Sequence, residues 1–292
     1  MSLNPLSPTY DFVFKKVFGD NTRVLKDFLT AVLDLPPEEY KGLVVIDPNL
    51  NPELADDKHA VLDVKVTTST GKVIDIEVQV KRQRAIWQRM LFYTSKMVVE
   101  QVKRGYQYDK INKVISILIT DFTMIEETKA KHSRFRYHDE TTGVRFPDSP
   151  EINVLELPKV GESDVTHLGE WMRFFRAKTE EEFMTVARTN PAIDEAWGVI
   201  KVLSGDERTR ALAEAREKAR MDLDSWLGDA RDEGREEGLQ KGLQEGELKG
   251  RQEEKLEVAR YALREKLPIE TVVKLTGLPI EEVQKLAAEL TS

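Results

Sequence analysis

Apolar and polar positions alternate most regularly between Val61 and Val80, VLDVKVTTSTGKVIDIEVQV. Val, Ile and Thr fill two runs on either side of Ser69-Thr70-Gly71, a composition suited to paired, half-buried strands. A three-residue loop with Gly71 in the left-handed position pairs Thr68 with Lys72. Carried back along both strands, that register sets Val66 against Ile74, Lys65 against Asp75, Val64 against Ile76 and Asp63 against Glu77. Side chains alternate between the faces of a strand. Leu62, Val64, Val66, Ile74, Ile76 and Val78 therefore form an apolar face, and Asp63, Lys65, Asp75, Glu77 and Gln79 a polar one.

Around this hairpin the period lengthens. Val13, Phe14, Val17 and Phe18 mark a helix from about Ser7 to Phe18, ended by Gly19, with Asp11 and Lys15 as an i,i+4 pair. Asn21 is placed to cap a second helix that runs to Leu35 and stops at Pro36-Pro37. Leu43–Ile46 predicts a short strand, and residues 47–59, rich in Pro, Asn and Asp, a loop. Helical spacing returns over Gln83–Arg104, with Trp87, Leu91, Met97, Val98 and Val102 expected on the inner side. Lys113–Thr120, KVISILIT, reads as a strand covered on both faces and paired in parallel after a crossover helix. Phe135–Tyr137, Val144–Phe146 and Ile152–Leu157 predict further short strands. This order gives an α/β core with one mixed sheet.

Beyond His167 the pattern is helical, over His167–Lys178, Glu180–Thr189, Pro191–Leu203 and Arg208–Trp226. Trp171, Phe174, Phe175, Phe183 and Trp197 are the packing candidates. Gly234, Gly238, Gly242, Gly246 and Gly250 then recur every four residues among Glu, Gln, Lys and Arg. Glycine weakens a helix by about 1 kcal/mol per position. The repeat fits either a stripe that lets another helix approach closely or a flexible, partly helical linker. Glu253–Lys266, Ile269–Leu275 and Ile280–Leu290 form a tail with a helix-turn-helix outline. Its last helix presents Glu281, Glu282, Gln284, Lys285 and Glu289, an outer surface better suited to packing than to phosphates. The expected organisation is a core at 1–165, a helical extension at 166–227, a charged glycine-repeat helix or linker at 228–257 and a small helical module at 258–292.

The chain has 292 residues, no cysteine and a formal net charge of −8. Disulfides and thiolate metal sites are excluded, and a reducing, cytoplasmic location is expected. No apolar run approaches the roughly 18 residues of a membrane helix, and the first residues lack a signal-peptide pattern, so no membrane association is expected. The acidic total argues against a protein that coats nucleic acid over its whole surface. Between Lys81 and Lys110, however, eight Lys or Arg face only Glu100 and Asp109. Arg82, Arg89, Lys96 and Lys103 recur every seven residues there, on one stripe of the helix after the hairpin. The stripe is either an ordinary solvated face or a set of phosphate contacts.

Two carboxylates directly opposed on a hairpin repel each other. Asp63 and Glu77 therefore mark either an exposed polar face or a place for a divalent cation, which takes carboxylate oxygens. The chain has no G-x-x-x-x-G-K-[ST] loop, no G-x-S-x-G elbow and no H-E-x-x-H helix. Its four histidines, His59, His132, His138 and His167, are scattered.

Asp63 followed by Glu77-x-Gln79 on the next strand resembles the PD-(D/E)XK nuclease signature. The likeness extends to Asp11-Phe12-x-Phe14-Lys15-Lys16-x-Phe18-Gly19, to Asp63-Val64-Lys65-Val66, to Ile76-Glu77-Val78-Gln79, to Arg89 and Tyr93, and to Gly105-x-x-Tyr108. The ordered set, with the glycine-repeat tail, is similar to the recombination-promoting nuclease family, whose members are also described as transposases. The resemblance implies an α/β fold with a restriction-endonuclease-like mixed sheet flanked by helices and an all-helical C-terminal region. It also implies hydrolysis of DNA phosphodiesters with Mg2+ or Mn2+. Asp63, Glu77 and the main-chain carbonyl of Val78 would hold the metal, with Asp63, Glu77 and Gln79 as the catalytic set. Asp11, Lys65 and Lys81 are accessory candidates, and Arg82, Arg89, Lys96 and Lys103 are DNA-binding candidates. DNA is the expected partner, with a homo-oligomer built through the C-terminal helices. Leu62 stands where the signature has Pro. Gln79 stands where it has Lys, which leaves a catalytically weak or inactive DNA-binding protein as the alternative.

Overall fold

The computed structural model describes residues 4–46, 64–102 and 108–291. Asp63, Lys103 and the 47–59 segment lie outside them. The chain forms two compact units, residues 1–215 and 216–292.

The first unit is built on a six-stranded mixed sheet of order β1-β2-β3-β4-β6-β5. Its strands are β1 (Val44–Ile46), β2 (Val64–Thr67), β3 (Val73–Gln79), β4 (Val114–Thr120), β5 (His132–Arg136) and β6 (Glu151–Glu156). β2 and β3 form the predicted hairpin in the predicted register, Val64↔Ile76, Lys65↔Asp75, Val66↔Ile74 and Thr67↔Val73. Gly71 has φ +90°, the left-handed conformation that the three-residue loop requires. β4 runs parallel to both β3 and β6, and all seven of its residues are buried.

One face of this sheet carries the main core. Val64, Val66, Ile74, Ile76, Ile115, Ile117 and Ile119 pack there against helices α1 (Asp11–Phe14), which continues as a wider turn over Lys15–Gly19, and α2 (Thr22–Val32). Asn21 caps α2 by accepting hydrogen bonds from the Arg23 and Val24 amides. Helices α4 (His167–Arg176), α5 (Glu180–Ala187) and α6 (Pro191–Gly205) belong to the same core. Phe18 and Phe28, with ring centroids 5.4 Å apart, meet Trp171 and Phe175 there. Truncating one such buried ring to Ala costs about 3–5 kcal/mol. Helix α3 (Ile86–Val99) lies on the opposite face of the sheet. A smaller cluster holds it there, made of Ile86 and Met90 with Leu118, Met124 and Val154.

The inner side of α3 differs from the expected one. Ile86, Met90, Tyr93, Thr94 and Met97 are buried, whereas Trp87, Leu91 and Val102 are exposed. The strand surface beneath the helix is partly polar, so Thr94 turns inward and its hydroxyl meets that of Ser116 on β4 at 2.8 Å.

Helix α7 (Glu207–Arg264) continues through the glycine repeat, which is helical throughout and exposed on every side. Apart from the helix's own neighbouring backbone, no described atom comes within 4 Å of where a side chain on Gly234, Gly238, Gly242, Gly246 or Gly250 would begin. In the second unit, Ala259 and Ala262 of α7 pack with Val272 of α8 (Ile269–Thr276), Leu278, and Val283 and Leu286 of α9 (Ile280–Thr291). Gly277, at φ +66°, ends α8 in the left-handed conformation. No helix among the described residues is long and apolar enough to cross a membrane.

Candidate active site

The polar face of β3 is neither solvated nor open. Asp75 is 1% exposed and Glu77 6% exposed, both beneath α3. Glu77 Oε1 accepts two hydrogen bonds, from Gln79 Nε2 at 2.6 Å and from Arg89 Nη2 at 2.9 Å. Gln83, in the turn before α3, donates from Nε2 to Gln79 Oε1 at 3.4 Å and accepts from Arg89 Nη1. Glu77, Gln79, Gln83 and Arg89 thus close a ring of side chains between β3 and the start of α3. The Arg89 guanidinium also lies 5.8 Å from the centre of the Tyr93 ring, one helical turn on.

Burial pushes the Glu77 carboxyl above its ordinary acidity range. The Arg89 charge and the Gln79 hydrogen bond pull it down without cancelling that effect. Both described hydrogen bonds fall on Oε1, so Oε2 receives none from the described residues.

The backbone of β3 sorts its carbonyls by parity. Val73 N–H donates to the Lys113 carbonyl at 3.0 Å, and the Gln79 carbonyl accepts from Asp121 N–H at 3.0 Å. Odd-numbered residues of β3 therefore spend their backbone groups on β4, and even-numbered ones, Val78 among them, turn theirs toward the β2 side. A buried carboxylate and a carbonyl directed to the hairpin side are hard oxygen donors that suit Mg2+ or Mn2+. The described residues hold no group of three or more Asp, Glu or His that could complete such a site among themselves.

The other predicted residues fall into two groups. Lys65 sits opposite Asp75 and pairs with Glu100 at the α3 C-terminus at 3.2 Å. Lys96 is half-buried on the same side of α3, and Lys81 is exposed just beyond β3. Neither Asp11 nor Arg82 is bonded into the ring: Asp11 pairs with Lys15 at 2.8 Å and Arg82 with Glu126 at 3.4 Å.

The model of the PD-(D/E)XK nuclease family transposases matches residues 8–230. The chain belongs to that family. No curated protein and no solved structure matches it. Membership in the PD-(D/E)XK transposase family accords with the sheet order and with helices on both sheet faces.

Two contributors escaped the sequence pattern. Gln83 lies in a turn, where no periodicity marks it. Glu39 is 4% exposed and binds the hairpin loop through Thr68 at 2.6 Å, Thr70 at 2.7 Å and Lys72. Burial raises its carboxyl, but these hydrogen bonds and the Lys72 charge outweigh that and hold it at about 2.

Proposed function

We propose that this chain is a metal-dependent DNA endonuclease. The observation that carries the reading is the buried Glu77 carboxylate, held by Gln79 and Arg89 on the polar face of β3 in a member of a nuclease family. Asp63 precedes Val64, the first described residue of β2, and Val64 pairs with Ile76. Continued one more step, that register would set Asp63 opposite Glu77. Asp63, Glu77 and the Val78 carbonyl would then hold Mg2+, or Mn2+ in its place. When bound, the ion polarises the scissile phosphate and acidifies a water.

The chain's own residues do the rest. Gln79 orients the attacking water through its amide but brings no charge. Lys65 or Lys81 supplies positive charge beside the phosphate, and Arg82, Arg89, Lys96 and Lys103 bind the DNA backbone. Asp11 is an accessory carboxylate only if it leaves Lys15. Residues 1–165 carry the chemistry. The 166–227 helices extend that core, and the 228–257 helix and the 258–292 module join copies of the chain into a homo-oligomer. Exposed Leu239, Leu243 and Leu248 beside the glycine stripe support that last assignment. Sedimentation or light scattering tests it, and a monomer at all concentrations would overturn it. The biological setting proposed is recombination or the movement of mobile DNA.

A plasmid-nicking assay with Mg2+ tests the activity. Glu77→Gln and Asp63→Ala are expected to lower the rate by about 100-fold or more. Cleavage retained in either variant would sink the site assignment. A second reading is favoured by one observation: Glu77 already has a cation, Arg89, and Gln79 is neutral. On that reading the chain binds DNA in a salt-sensitive way and cuts nothing with Mg2+ or Mn2+.

A further inference from the structure

The face of the sheet that carries Glu77 continues past α3 onto a set of exposed aromatic rings. Register follows the face across the strands. Asp75 is opposite Ser116, Ser116 opposite Ile152, and Ile152 opposite Phe135. Phe135 of β5 therefore projects on the same side as Asp75 and Glu77, three strands away, or roughly 14 Å at ~4.8 Å per strand. Its contact with Trp87 of α3 is edge-on, with centroids 5.4 Å apart and planes at 83°.

β5 then runs on as a ribbon. Phe146 N–H donates to the Tyr137 carbonyl at 3.0 Å, and His138 bridges to Arg145. Tyr137 follows Phe135 at the two-residue spacing of one strand face, and Phe146 stands opposite it. Trp87, Phe135, Tyr137 and Phe146 are 40%, 42%, 56% and 65% exposed. Rings left in water at this density mark a binding surface.

Charge says what kind of partner fits. Residues 81–99 hold five Lys or Arg and no Asp or Glu, and residues 129–146 hold five against two, in a chain whose net charge is −8. Arg84 and Arg145, both exposed, make no ion pair with a described residue. A cavity of ≈ 500 Å³ at the ribbon is lined by Phe135 together with Arg134, Arg136, His138 and Arg145. A protein partner would have to bring acidic groups and apolar or aromatic groups together. A duplex offers phosphates but keeps its bases stacked inside. Unpaired nucleotides offer both, because a free base stacks on an aromatic ring while its phosphate meets Arg.

We propose that this surface holds an unpaired stretch of DNA and leads it to the Glu77 face, so that the preferred substrate contains a single-stranded segment. The proposal rests on the endonuclease reading for its direction, but its test does not depend on cleavage. With EDTA present, the full chain is titrated into a fluorescein-labelled oligothymidine of roughly 20 nucleotides and into the matching duplex, and anisotropy is read. The single strand is expected to bind more tightly. Tyr137→Ala with Phe146→Ala, and separately Phe135→Leu, are expected to weaken it roughly tenfold per ring removed. Tyr137→Phe and Phe146→Tyr restore a ring and should bind as wild type. Should the double variant unfold, the single Phe146→Ser carries the same comparison.

Tighter binding of duplex, or ring variants that bind the single strand unchanged, overturns the proposal. So does a ring variant that loses self-association while keeping its DNA affinity, since the surface then belongs to a second copy. A chain that binds single strands through these rings but never cuts overturns the nuclease reading and leaves this one standing. Glu77-dependent cutting with indifferent rings does the reverse.

Discussion

At Glu77, burial favours the protonated carboxyl, and Arg89 with Gln79 favours the carboxylate. Burial wins, so the folded pKa lies above the ordinary one. The stability this residue contributes is therefore present below its ordinary value and lost as pH rises through the raised one. Metal binding has the opposite need, because only the carboxylate is a ligand. The acid limb of the pH–rate profile should then lie above the range of an ordinary Glu. Arg89→Ala removes the compensating charge and should shift that limb to higher pH. A limb unmoved by this substitution would separate Glu77 from the rate-limiting chemistry. The register of the hairpin was legible from its loop alone, and every described pair obeys it. The inward turn of Arg89 was not legible. A seven-residue spacing puts side chains on one stripe without saying which side of the helix that stripe faces.

Among the elements, the hairpin was the most readable, because a period of two together with a glycine at positive φ leaves little choice of pairing. Its attachment was not readable, since Glu39 approaches from a one-turn helix (Pro37–Tyr40) that carries no pattern. Lys72→Ala leaves Glu39 buried without its cation and should cost on the order of 3 kcal/mol at neutral pH. The Glu39 carboxyl is held at about 2, so this contribution is full above its ordinary value and disappears as pH falls toward 2. Urea unfolding at neutral and acid pH should show the gap between variant and wild type closing on acidification. Helix α3 was misread in part, for a related reason: Met97 is buried as expected, but Trp87 and Leu91 are not. Helical periodicity assumes an apolar floor, and the floor here includes Asp75, Glu77 and Ser116. Polar and adaptable residues therefore went inward, and Trp87 and Leu91 came out.

In the whole molecule, the large rings from His167 onward were correctly read as packing residues, and they complete the first unit's core. Whether the glycine repeat was helix or linker depended on a balance of small propensities, which composition could not decide. The second unit has a separate small core around Val272 and Val283, both fully buried. Val283→Asp places an unpaired charge there and should unfold that unit while the melting transition of residues 1–215 stays in place. Calorimetry of the full chain reads both. Nicking should persist in the variant, and self-association should be lost. A variant that loses both transitions together would show that the two units fold as one.

The ion pair between Arg89 and Glu77 also bears on the amide at Gln79. An amide cannot lend positive charge to a phosphate, and the nearest guanidinium is already engaged. On the proposed nuclease reading, whatever engages Glu77 in its place would also free that guanidinium beside the bound phosphate. The arginine would then pass from carboxylate to phosphate only when the site is loaded. The missing lysine of the motif would thus be supplied from the neighbouring helix, on condition that there is something to cut.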